Sequence, residues 1–114
     1  MALTVTSRTA SGVTILDLNG RLILGEETAS LRDNLKSLVA SSQKKILLNM
    51  EGVSYIDSSG LGALVGGYTS VTALQGQLKL MKLSKKAKDL LQITKLLTVF
   101  EVFDDEETAV KSFK

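Results

Sequence analysis

The segment Asp57-Ser58-Ser59-Gly60-Leu61-Gly62 is where the residue types and spacing of this chain lend themselves to chemistry. It stands where an apolar stretch with strand character hands over to one with helical spacing. Backbone N–H groups in a helix's first turn lack intrahelical partners, and the helix dipole favours negative charge there. Asp57 or Ser58 can therefore cap the helix. Gly60 and Gly62 leave the backbone bare, so another molecule can approach closely. Four of the nine glycines (Gly60, Gly62, Gly66 and Gly67) fall within this one predicted helix. Each costs it about 0.5–1 kcal/mol relative to alanine. Either they pack tightly against a sheet or they keep a surface flat for a partner.

Enzymatic readings of the same segment fail. The chain contains no histidine, which removes a Ser-His-Asp triad, a histidine general base and a histidine-ligated zinc site together. A nucleophile elbow needs glycine two positions before the serine, but Ile56 precedes Ser58 at that spacing and Asp57 precedes Ser59. A phosphate-binding P-loop needs Lys and then Ser or Thr after its second glycine, and Gly67 is followed by Tyr68 and Thr69. The dinucleotide pattern that begins at Gly60 ends on Val65, where Gly or Ala belongs. A non-catalytic protein with no cofactor of its own is expected.

The elements that must position this turn are legible from periodicity. Leu3 and Val5, then Val13, Ile15 and Leu18, suggest two strands joined by a hairpin at Ser11-Gly12, with Gly20 ending the second. From Glu26 to Ala40, Leu31, Leu35, Leu38 and Val39 recur at helical spacing, with Glu26 and Glu27 suited to its positive end. Ile46-Leu47-Leu48 is a continuous apolar run, the mark of a strand buried on both faces. Val53 to Ile56 leads into the turn. The following helix carries Leu61, Leu64, Val65, Tyr68, Val71 and Thr72 on one stripe and is closed by Gly76. Leu78 and Leu80 alternate with Lys79 and Met81 in a further strand. Ser84 caps a third helix with Ala87, Leu90 and Leu91 on its apolar side. Val99, Phe100 and Val102 read as a last short strand. Asp104 and Glu107 then have capping-box spacing before Ala109, Val110 and Phe113. The order β-β-α-β-α-β-α-β-α predicts an α/β sandwich: a central mixed, mostly parallel sheet with about four helices and one antiparallel strand at the start.

Composition agrees with one ordinary domain spanning residues 1–114. Apolar residues make up 44% of the 114 and charged residues 23%, a soluble globular profile. No cysteine is present, so no disulfide or thiolate metal site exists. A signal-peptide pattern is lacking at the N-terminus, and no apolar run nears the roughly 18–20 residues that span a bilayer. A cytoplasmic protein without membrane insertion is expected. The net charge of +2 demands no nucleic-acid partner. Lys79, Lys82, Lys85, Lys86 and Lys88 read as a solvated basic surface, since five aromatics in the whole chain leave little to stack on bases. Tyr55 and Tyr68 read as aromatics at the edge of the core.

The stretch from Ile46 through Asp57-Ser58-Ser59-Gly60-Leu61-Gly62 resembles the signature of the STAS domain, and more narrowly the bacterial anti-sigma factor antagonists. The predicted element order agrees over essentially the whole chain. The resemblance implies partner switching. Ser58 would be the phosphoacceptor, modified by a serine kinase that is also the anti-sigma factor and reset by a serine phosphatase. ATP and magnesium would belong to the kinase. The unphosphorylated form would bind the kinase and free its sigma factor. Asp57, Ser59, Gly60, Leu61, Gly62 and Gly66 would form the turn and docking surface. The alternative is a docking subunit of a stress-sensing scaffold, or a soluble accessory of a lipid or anion transporter. One departure stands out: in Gly20-Arg21-Leu22-Ile23, Ile23 holds the place where family members commonly carry Asp, and Glu26 is the nearest acid.

Overall fold

The computed structural model describes residues 3–23, 26–41 and 43–113. Strand β1 (Thr4–Ala10) pairs antiparallel with β2 (Val13–Leu22). Their hairpin turns on Ser11 and Gly12, both at positive φ (51° and 79°). That conformation matches the twist of the flanking strands and suits this sequence pair. Helix α1 (Glu26–Ala40) has the bounds its periodicity predicts; the side chains of Glu26 and Glu27 lie outside the described residues. Strand β3 (Lys45–Ile56) then lies parallel to β2, so the sheet order follows the chain.

Helix α2 (Ser58–Ala73) crosses to β4 (Gln77–Met81), and α3 (Lys85–Ile93) leads through a 3-10 turn at Leu96–Thr98 to β5 (Val102–Phe103). Helix α4 (Glu106–Lys111) follows. Both β4 and β5 add in parallel, giving one five-stranded sheet with a single antiparallel edge pair. Ile46, Leu47 and Leu48 of β3 are sealed from solvent because β3 has parallel neighbours on both sides and helices cover both faces.

Side-chain alternation divides the core in two. Leu16, Leu18, Ile46, Leu48, Leu78 and Leu80 meet α1, α2 and α3 through residues such as Leu31, Leu35, Leu64, Val71 and Leu91. The residues between them, Val13, Ile15, Leu47 and Met81, pack with Ala109 and Phe113 beside α4. Three helices thus lie on one face and one short helix on the other. That face is also fastened by polar groups. Arg8 bonds to Asp17 and to Glu106 of α4 at 2.6–3.2 Å. Lys79 Nζ donates to the Ser112 carbonyl and hydroxyl at 3.0 Å and lies 4.7 Å from the centre of the Phe113 ring.

Several elements differ from the sequence expectation. Gly20 does not end β2, which runs on to Leu22; at φ 120° Gly20 sits at a register shift in the pairing with β3. Gly76 is not the left-handed residue that closes α2. Gln75 is (φ 65°), and the Gly76 N–H caps the Val71 carbonyl at 2.8 Å. Val99 and Phe100 are not strand: the 3-10 turn intervenes, and Phe100 turns into the core edge-on to Tyr68 at 5.3 Å. Asp105, one residue beyond Asp104, caps α4 by accepting from Thr108 N–H. Lys79 is no part of a solvated cluster but is buried on the α4 face. Tyr55 is exposed rather than at the core's edge, whereas Tyr68 is where expected.

Candidate functional site

The turn between β3 and α2 is held from both sides. Asp57 leaves the strand in extended conformation, and its backbone N–H donates to the Leu22 carbonyl at the end of β2. Its side chain accepts the Gly60 N–H at 2.8 Å, and its carbonyl accepts the Leu61 N–H at 2.9 Å. Asp57 is therefore the cap of α2. The sequence left this open between Asp57 and Ser58; extended geometry at Asp57 points its carboxylate back over the orphan amides of the first turn. A carboxylate there also meets the positive end of the helix dipole.

Ser58 is thereby relieved of a structural role. It is the first helical residue, exposed, with its hydroxyl outside the capping arrangement. Ser59 is half-buried, and Leu61 is buried and anchors the first turn to the core.

The four helix glycines divide between the two explanations open from sequence. A Cβ at Gly60 would run into the Leu22 backbone, its carbonyl carbon 2.8 Å away, and one at Gly67 would strike the Leu35 side chain. These two permit close packing. A Cβ at Gly62 or Gly66 would meet nothing within 4 Å. No packing demand accounts for those two, and both lie on the outer side of α2. Of the residues expected to form a docking surface, then, Ser58 and Gly62 are exposed and Gly66 and Ser59 half-exposed. Gly60 and Leu61 face inward and hold the turn in place, as does the Asp57 cap. Ile23 is half-buried at the end of β2, and the Glu26 side chain lies outside the described residues.

Two grooves flank this region. One, about 190 Å³, is lined by Val53, Tyr55, Ile56, Lys86, Ala87 and Leu90 between the end of β3 and α3. The other, about 180 Å³, runs between α1 and α2 and is walled by Arg32 and Lys36. Sequence reading does not single out that basic pair; its i,i+4 spacing on α1 was the only signal available. Among the described residues no group of acidic side chains is arranged to hold a metal ion, and no helix is long and apolar enough to cross a membrane.

A family model described as the STAS domain matches residues 4–109. The anti-sigma-B factor antagonist of Bacillus subtilis is 35% identical over 81 residues, covering 71% of this chain and 73% of that protein. An anti-sigma factor antagonist structure from Mycobacterium paratuberculosis superposes with a TM-score of 0.82 at 19% identity, covering 97% of this chain and 93% of that one. The Bacillus cell fate determinant SpoIIAA, solved in its phosphorylated form, does so at 0.74 and 21%, covering 99% and 100%. At such identities the solved structures speak for the fold alone. The chain belongs to the STAS domain family, and its mixed five-stranded sheet with helices on both faces agrees with that membership.

Proposed function

We propose that this protein is an anti-sigma factor antagonist whose binding to an anti-sigma factor/serine kinase is switched off by phosphorylation of Ser58. The observation that carries the reading is the division of roles at the turn: Asp57 caps α2, and Ser58 is left exposed beside it. The names of the relatives support the antagonist role. In the transfer, the Ser58 hydroxyl oxygen attacks the γ-phosphorus of ATP held with magnesium by the kinase. The bond to ADP breaks, and the hydroxyl proton passes to a base on the kinase. A serine phosphatase hydrolyses the ester and resets the cycle. The antagonist itself supplies no catalytic group and works in the cytoplasm.

A phosphate brings about −1.5 to −2 charges and three acceptor oxygens. On the first residue of α2 it meets free amides and the positive end of the dipole, so the fold tolerates it. Within an interface it must be stripped of water beside the Asp57 carboxylate. A penalty of about 4 kcal/mol weakens binding about a thousandfold, enough to release the kinase.

The test is site mapping. Incubated with its kinase and ATP, the protein gains one phosphate, and fragmentation by mass spectrometry locates it on Ser58. A phosphate on Ser59 or on any other residue overturns the assignment.

A further inference from the structure

We infer that the groove between α1 and α2 continues the docking surface away from Ser58 and receives an acidic segment of the anti-sigma factor/kinase. The inference rests on the reading of the Ser58 turn as the place where that partner docks. Ser58, Gly62, Gly66 and Ser70 are spaced i, i+4, i+8 and i+12, so they lie on one face of α2. At 1.5 Å per residue, Gly66 stands about 12 Å along the helix from Ser58. There the face opens into the groove lined by Arg32, Leu35 and Lys36 of α1 and by Gly66, Gly67 and Ser70 of α2.

Three features of the groove specify its occupant. Gly67 lets α2 pack closely on α1, because the Leu35 side chain occupies the space a Cβ would take. Gly66 is not: its missing side chain leaves open space, although glycine is a poor helix former. The groove floor is thus kept low at the point where the two cations stand. Neither Arg32 nor Lys36 is in an ion pair with any described carboxylate, and Asp33, the adjacent acid on α1, pairs with neither. Among the described residues Arg21, Lys44, Lys45, Lys85, Lys86 and Lys95 share this lack of a carboxylate partner; what distinguishes Arg32 and Lys36 is that both line the groove on the Gly66 side of α2. A segment laid along α2 from Ser58 brings its far end between two unpaired positive charges over an apolar floor at Leu35. Carboxylates flanking a small or apolar residue complement that site, and charge of this kind acts on encounter rate and register.

The experiment titrates the kinase with wild-type protein, Arg32→Glu/Lys36→Glu, Ser58→Asp, and a control of equal net charge, Lys95→Glu/Lys111→Glu. Melting curves are recorded beside each. The groove reversal is expected to weaken binding at least tenfold at 0.1 M salt, and the deficit is expected to shrink at 0.5 M as screening grows. The milder Arg32→Gln/Lys36→Gln loses less, and the control stays near wild type. If the reversal binds as tightly as wild type, or no more weakly than the control, the groove is not part of the interface. In that event Ser58→Asp still binding poorly leaves the switch itself standing. Failure of wild-type protein to bind the kinase at all overturns both. Should the reversed variant not fold, the glutamine pair decides on the same criterion.

Discussion

At the scale of single residues, only one of the two adjacent polar side chains at the head of α2 takes part in capping it. The Asp57 carboxylate satisfies the Gly60 amide, and its own backbone is tied to Leu22. Ser58 contributes nothing to that arrangement. Stability and switching should therefore separate between neighbours. Asp57→Ala is expected to cost about 0.5–2 kcal/mol in chemical denaturation. Ser58→Ala, an exposed substitution away from the cap, is expected to stay within about 0.5 kcal/mol of wild type. If Ser58→Ala proved the more damaging, the cap would be misassigned. The sequence could not choose between the two residues, because both types cap helices well and the choice rests on which one leaves the strand in extended conformation.

At the scale of elements, α2 carries two kinds of glycine that look alike in the sequence. Gly60→Ala places a methyl against the Leu22 backbone and is expected to destabilise by about 1–3 kcal/mol, as overpacked sites do. Gly66→Ala places one in open space and is expected to stabilise by about 0.5–1 kcal/mol. Opposite signs in the two melts are the expected outcome; destabilisation by both would mean that Gly66 too is held by packing. Helix α4 is a second element whose attachment is specific. The Arg8 hydrogen bonds hold Glu106 and Asp17 below the usual carboxylate range, with Asn49 adding to the effect at Asp17. A carboxylate depressed in the folded state stabilises above its unfolded pKa, and that contribution fades as pH falls through the folded value. The stability gap between wild type and Arg8→Gln should therefore be full near pH 7 and narrow below about pH 4. A gap unchanged from pH 7 to pH 3 would show that these ion pairs do not couple α4 to the sheet.

At the scale of the whole molecule, most of the architecture was legible because its signals are local. The hairpin at Ser11-Gly12, the helix over Glu26–Ala40, the Ser84 cap and the doubly buried run at Ile46–Leu48 all appear as read. What was not legible depends on tertiary packing. Lys79 looks like a surface cation by type, yet the Ser112 oxygens and the Phe113 ring give its ammonium a buried place. Phe100 looks like strand, yet it turns inward to meet Tyr68. Lys79, Val99 and Phe100 were misread for this reason, while the strand-to-helix handover at Asp57-Ser58 was legible because periodicity changes there from strand to helix. The protein then has one face given to internal fastening through α4 and another that presents Ser58, Gly62 and Gly66 along α2. Switching through charge at Ser58, without a change of fold, is the central claim. The most direct measurement is the affinity of the kinase for Ser58→Ala and Ser58→Asp, each with its melting curve. Both variants should melt near wild type, with Ser58→Ala holding the kinase tightly and Ser58→Asp binding at least tenfold more weakly, whereas a folded Ser58→Asp that binds as tightly as Ser58→Ala would contradict the claim.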